Sequence, residues 1–197
     1  MSGRDPKARA VILIGFMGAG KSTVGRALAG LLGWPFEDLD QRIELREARR
    51  VHEIFRVSGE SGFRQAEHAA LRELLKELRT AAGRIVALGG GAFVQKHNAE
   101  IIEASGVPAI FLDAGVDELW LRCRRQANDD GVERPLLGSF TSFRELYDAR
   151  RPHYLKASYR QETSGKTVDK IAVELAELLG LQPSRQDQSR RKRGEKN

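Results

Sequence analysis

Two signals alternate along the chain: short continuous apolar runs, and longer segments in which apolar residues return every three or four positions. Val11-Ile12-Leu13-Ile14 is a run of the first kind, closed by Gly15, and predicts a strand buried on both faces. Over 22–32 the residues Val24, Leu28, Leu31 and Leu32 recur at helical spacing, and Gly33 supplies a C-terminal stop. Pro35-Phe36-Glu37-Asp38 predicts a short second strand. Helices are expected over 41–50 and 51–57, with their boundary open. A long amphipathic helix over 60–79 is marked by Phe63, Ala66, Ala70, Leu71, Leu74, Leu75 and Leu78.

The alternation then repeats. Arg84-Ile85-Val86-Ala87-Leu88 predicts a strand ending in three glycines, with a helix over 99–105. Pro108-Ala109-Ile110-Phe111-Leu112 predicts the next strand, with a helix over 116–125. Residues 127–140 are polar and glycine-containing, a loop candidate. Residues 142–155 read as a helix broken at Pro152, 157–162 as a weak last strand, and 168–179 as a final helix stopped by Gly180. Strands alternating with helices imply an α/β fold, with a parallel sheet of about five strands covered by helices on both faces. No internal repeat is visible.

Composition narrows the class. With 41% hydrophobic and 30% charged residues over 197 positions, the chain suits one globular domain with a sizeable core. No apolar run approaches the roughly 20 residues of a membrane-spanning helix, and the polar start followed by a short apolar run does not fit a signal peptide. The lone Cys123 permits no intrachain disulfide, which fits a cytoplasmic setting; its helical position reads as packing. Trp34 and Trp120 read as packing residues too. His52, His68, His97 and His153 show no metal-ligand spacing. Of the net charge of +6, residues 181–197 supply +4 from six basic and two acidic side chains. The high pI is therefore mostly a property of a basic tail, expected to be disordered from 182 onward, and does not mark a nucleic-acid-binding domain. Residues 1–9 are expected to be a flexible N-terminus.

Gly15-Phe16-Met17-Gly18-Ala19-Gly20-Lys21-Ser22 matches the phosphate-loop pattern G-x-x-x-x-G-K-[ST], between a buried strand and an amphipathic helix. Glycines let successive N–H groups converge on phosphate oxygens, and the helix N-terminus adds partial positive charge. Lys21 is placed to reach the β- and γ-phosphates and Ser22 to offer its hydroxyl to Mg²⁺. The motif by itself specifies a nucleoside triphosphate and no more.

Asp38-Leu39-Asp40 closes the second strand, and strand alternation points both acids toward the edge where ligands bind in such sheets. One carboxylate can hold a metal-bound water while the other meets an acceptor hydroxyl. Asp40 also suits a helix N-cap before Gln41-Arg42-Ile43, a role compatible with the first. The run Gly89-Gly90-Gly91 stands where a Walker B strand usually ends in an acid, which leaves Asp38 as the carboxylate on the magnesium side.

The phosphate loop, Asp38-Leu39-Asp40, Phe63-Arg64-Gln65-Ala66-Glu67, Gly89-Gly90-Gly91 and Arg134-Pro135-Leu136-Leu137, in that order and spacing, resemble the shikimate kinase family from about Val11 to Gly180. The resemblance implies a P-loop NTPase fold of the nucleoside-monophosphate-kinase type over 10–181, with a substrate-binding region at about 38–79 and a lid at about 126–140. It implies phosphorylation of the 3-hydroxyl of shikimate by ATP with Mg²⁺, a step in aromatic amino acid biosynthesis. ATP contacts are implied at Gly18, Ala19, Gly20, Lys21, Ser22 and Thr23. Arg134 resembles the lid arginine that swings over the phosphates. Arg124 or Arg125 resembles the arginine that packs on adenine, and the sequence leaves open which. Arg64 and Arg150 resemble the pair that grips the substrate carboxylate, Arg150 being favoured over Arg151 by its spacing to Pro152 and Tyr154. A planar guanidinium forks onto a carboxylate in a way that lysine does not. Helical spacing lets Glu67 orient Arg64. The amides of Gly90 and Gly91 are implied substrate contacts, and Lys21, Asp40 and Arg134 the catalytic set. With an ordinary pKa of about 4, Asp40 is expected chiefly to aim the hydroxyl and only secondarily to accept its proton. A monomer, with no membrane or nucleic-acid partner, is expected. The rivals are another small-metabolite kinase, such as a gluconate kinase, and a non-catalytic nucleotide-binding protein using the basic tail.

Overall fold

A computed structural model describes residues 9–80, 83–130 and 138–184. Five parallel strands form one sheet: β1 (Ala10–Ile14), β2 (Phe36–Asp38), β3 (Arg84–Ala87), β4 (Ala109–Asp113) and β5 (Tyr159–Glu162). Their order across the sheet is β2-β3-β1-β4-β5. The apolar runs occupy the centre: β1 and β4 are buried at every position, and Ile12 pairs with Val86 on one side and Ala109 on the other. The outer strand β5 buries only Gln161, which explains its weak sequence signal.

Seven helices complete the described chain: α1 (Lys21–Leu32), α2 (Leu39–Glu47), α3 (Val51–Leu78), α4 (Lys96–Ser105), α5 (Val116–Asp130), α6 (Phe140–Tyr154) and α7 (Val168–Leu178). The chain moves from β1 out to β2 and then steps back across the sheet. Right-handed crossovers therefore place α1 on one face and the helices that follow on the other. α7 joins α1 on its face, and the two pack together. Because β1 is the strand at which the order reverses, its C-terminal end opens onto the crevice that binds ligands in such sheets.

Several boundaries differ from the periodicity reading. The expected helices over 51–57 and 60–79 form one element kinked at Gly59, whose backbone (φ 67°, ψ −177°) is not helical. α5 continues through Asp130, five residues past its expected end and into the candidate lid; residues 131–137, including Arg134, lie outside the described residues. Pro152 does not break α6. It sits in the final turn, and the helix runs through it to Tyr154 without the bond an amide at 152 would make to the Asp148 carbonyl. A 3₁₀ turn at Ala92–Val94, unforeseen from the sequence, links the triple glycine to α4.

Candidate active site

The phosphate loop leaves β1 at the centre of the sheet. Gly18 (φ 78°) and Gly20 (φ 84°) adopt left-handed backbone. A Cβ on Gly18 would lie 2.8 Å from both the Cys123 Sγ and the Leu119 carbonyl oxygen of α5, so the loop is seated on that helix and only glycine fits there. This contact gives the buried Cys123 its packing role. Gly20 is the N-cap of α1, whose free first-turn amides create an anion-binding end. Lys21 donates from Nζ to the carbonyls of Gly15 and Phe16, each at 3.0 Å. Burial lowers its pKa, while the nearby Asp40 and Asp38 act in the opposite direction.

The two acids have different settings. Asp38 ends β2 and caps α2, its Oδ1 accepting from the Asp40 amide at 3.0 Å. Its Oδ2 accepts from the Ser22 hydroxyl at 2.7 Å, bringing the second strand to the phosphate loop. Asp40 is not a strand residue, as alternation implied, and not the cap. It lies in the first turn of α2 because Asp38 takes the cap position one residue before Leu39. Its Oδ1 is buried with no hydrogen-bond partner. Burial raises the Asp40 pKa to about 6, with Asp38 adding to the rise and Lys21 opposing it. The expectation of an ordinary carboxylate pKa is thereby corrected.

Opposite Asp40 stands the glycine turn after β3. A Cβ on Gly89 would meet the Asp40 Oδ1 at 2.6 Å, and one on Gly91 would meet the Arg64 Nη2 at 2.7 Å. One on Gly90 would stand 4.0 Å from the Arg150 Nη1. The turn thus touches the acid and both arginines, which come from α2, α3 and α6. Arg64 donates to Glu67 at 3.0 and 3.2 Å and to Glu60 at 3.2 Å. Glu67 is 1% exposed, so the carboxylate that aims this guanidinium is fixed from below; burial raises its pKa and Arg64 opposes the rise.

Arg150 and Arg151 face different ways. Arg150 lies over the Phe16 ring at 5.9 Å, and Tyr154, one helical turn on, donates its hydroxyl to the Gly90 carbonyl. Arg151 instead donates to the Tyr147 hydroxyl at 3.0 Å and to the buried Asp113 at 2.8 Å, where Arg160 also donates at 2.8 Å. It ties α6 to the ends of β4 and β5.

Arg122, which the sequence reading did not single out, braces the phosphate loop. It reaches the Gly18 carbonyl at 3.5 Å and the Thr163 carbonyl, beyond β5, at 3.3 Å, and is braced by Glu118. Arg124 lies 6.0 Å over Trp120, and Arg125 is exposed on α5. Arg122 follows Leu119 by three positions and adjoins Cys123, both buried, and this phase was the available signal.

A glycine cradle with its lysine at the hub of a β2-β3-β1-β4-β5 parallel sheet, with an acid and two arginines gathered at the glycine turn beside it, defines a P-loop kinase for a small acceptor. The sequence model of the shikimate kinase family matches residues 17–180, and the chain belongs to that family. It is 38% identical to the shikimate kinase of Cereibacter sphaeroides over 92% of this chain and 89% of that one. It is 39% identical to that of Burkholderia thailandensis over 81% of this chain and 82% of that one. The structure of the Acinetobacter baumannii shikimate kinase in complex with shikimate superposes with a TM-score of 0.76 at 34% identity, covering 87% of this chain and 93% of that one. A gluconokinase from Sinorhizobium meliloti shares the fold only, at 16% identity and a TM-score of 0.57. The chain is an ATP-using kinase of a small-molecule substrate. Among the described residues no helix is long and apolar enough to cross a membrane.

Proposed function

We propose that the protein transfers the γ-phosphoryl group of ATP to the 3-hydroxyl of shikimate, with Asp40 meeting that hydroxyl and Arg64 and Arg150 gripping the carboxylate. The observation that carries the residue roles is the unpartnered, buried Oδ1 of Asp40 beside Gly89, with Lys21 on the phosphate side and Arg64 on the other. Burial of this oxygen against Gly89 fixes the carboxylate, and the other oxygen of the half-buried Asp40 is the one proposed to meet the substrate hydroxyl. The hydroxyl oxygen bonds to the γ-phosphorus as the bond to the β-phosphate oxygen breaks, giving shikimate 3-phosphate and ADP. The transition state is loose, so the hydroxyl proton leaves late. With its pKa raised to about 6, Asp40 is a better acceptor for that proton than an ordinary aspartate, and it both aims the hydroxyl and takes the proton.

Lys21 must exchange the Gly15 and Phe16 carbonyls for phosphate oxygens when ATP binds. Ser22 and Asp38 form the pair suited to Mg²⁺, since hard oxygen donors with few carboxylates match an ion that keeps water and phosphate ligands. Mg²⁺, when bound, neutralises charge on the β- and γ-phosphates. Arg122 braces the phosphate loop against Thr163, and Arg124 or Arg125 keeps the proposed role of packing on the adenine. Arg134 keeps its proposed role as the lid arginine over the phosphates, and a monomer remains the proposed state.

A coupled assay with ATP and Mg²⁺ tests the proposal. ADP should form with shikimate and not with gluconate, and Lys21→Ala should abolish turnover. ADP release that ignores the added acid, or a near-normal kcat in Lys21→Ala, overturns the reading.

A further inference from the structure

Asn98, on the first turn of α4, is fully buried, and so is its amide. Its Nδ2 donates to the carbonyl of Ala92 at 3.1 Å, the residue immediately after Gly91. That donation fixes the amide orientation, so Oδ1 faces His68 on α3, 2.7 Å from the ring Nδ1. An amide oxygen only accepts, and the proton of His68 therefore sits on Nδ1, whether or not Nε2 is also protonated. His68 directly follows Glu67, the buried partner of Arg64. The edge of the His97 ring packs against His68 with centroids 4.6 Å apart, which restrains the imidazole plane.

We propose that Asn98 and His68 are positioning residues that set the substrate-facing gap between Gly91 and Arg64. One side chain joins the backbone of the glycine turn to the helix that carries the arginine, and it does so one residue from Gly91 and one helical turn, four residues, from Arg64. That gap is tight: a Cβ on Gly91 would come within 2.7 Å of Arg64. A small slide of α3 past the turn therefore changes how the guanidinium and the Gly91 amide converge on one ligand. Misplacement of a charged, bidentate contact weakens binding far more than loss of the distant bond would imply. Their described hydrogen bonds run to each other and to Ala92, not to the phosphate loop, so the effect is expected on the acceptor side.

The inference rests on the reading that Arg64 and Gly91 line the shikimate site, and the test separates the two. His68→Leu removes the Nδ1 donor at a half-buried position, while His68→Gln keeps a donor within reach of Asn98. We expect His68→Leu and Asn98→Ala to raise the KM for shikimate about tenfold, with the KM for ATP within about twofold of the parent, as loss of one buried hydrogen bond predicts. His68→Gln should stay near the parent. A purely structural role would lower the active fraction and hence kcat, leaving both KM values alone. An unchanged KM for shikimate in His68→Leu, or an equal rise for both substrates, overturns the inference. If Asn98→Ala does not fold, His68→Leu against His68→Gln decides alone. Arg64→Ala is measured beside them: an unchanged KM there sinks the site reading itself, whereas a raised KM with a silent His68→Leu sinks only this inference.

Discussion

Gly89 stands so close to Asp40 that a single added methyl would come within 2.6 Å of the Asp40 Oδ1, each residue lying two positions beyond the paired ends of the neighbouring strands β3 and β2. This contact gives the first glycine of the triple run a steric purpose. Gly89 does not have the positive φ that would by itself demand glycine, so alanine fits its backbone and the conflict falls on the carboxylate.

Gly89→Ala is therefore expected to fold and to lower kcat by about ten- to a hundredfold, because displacing a positioned group by a fraction of an ångström is enough to lose that much rate. The KM for ATP should hold, since Lys21 and the phosphate loop are untouched. Steady-state kinetics with each substrate varied will show it. A parent-like kcat would mean that Asp40 is free to shift without consequence.

Arg64 carries a second expectation. Its guanidinium is held by the buried Glu67 and the exposed Glu60 and lies against the Gly91 backbone, so a substrate carboxylate has to displace Glu60. Arg64→Ala should raise the KM for shikimate by roughly a hundredfold, the scale of a lost charged hydrogen bond. Arg64→Lys should recover little, because an ammonium cannot bridge two carboxylate oxygens in one plane. Full recovery by lysine would show that charge alone suffices there.

These contacts also show what the sequence made readable. The central strands were legible because β1 and β4 are buried on both faces, and continuous apolar runs have few other meanings. The phosphate loop was legible because its glycines must sit between strand and helix. Asp40 was misread, since Asp38-Leu39-Asp40 alternates like a strand while the chain has already turned into α2, with Asp38 as its cap. Local periodicity does not register a cap that ends one element and starts the next. The bracing role of Arg122 was not legible because three arginines crowd positions 122–125, and only the buried phase of Leu119 and Cys123 tells them apart. The Asn98 bridge left no signal at all, for it depends on a 3₁₀ turn that brings the Ala92 carbonyl to α4.

The described body continues past the expected residue 181 to at least Ser184. Leu181 is buried, and the Ser184 amide donates to the Leu31 carbonyl at the end of α1 at 2.9 Å. Removing residues 185–197 should leave both kcat and Tm at parent values. Truncation after Gly180 exposes the core where Leu181 sat, and burial of one leucine is worth about 1.5–3 kcal/mol. Thermal melts of the two truncations should therefore differ by several degrees. If the shorter deletion also lowered Tm or kcat, the basic tail would have to belong to the folded unit.

Asp40 links rate and stability through one ionisation. Its carboxyl titrates at about 6 in the fold against a value of 3.8 when unperturbed, mainly because burial disfavours the charge. The ionised form is the one that meets the hydroxyl, so kcat/KM should rise with pH through about 6 and then level off. Asp40→Asn should lose about a hundredfold or more of rate and the Asp40 limb of that profile. Stability runs the other way. A raised folded pKa means that the protonated acid favours the fold below pH 3.8 and that this contribution disappears as pH rises through about 6, a difference of up to about 3 kcal/mol. Ligand-free Asp40→Asn should therefore melt higher than the parent at pH 8 and lose that advantage by pH 4. A melting difference of equal size at both pH values would detach the buried carboxylate from the stability of the fold, and with it the argument that burial raises the Asp40 pKa.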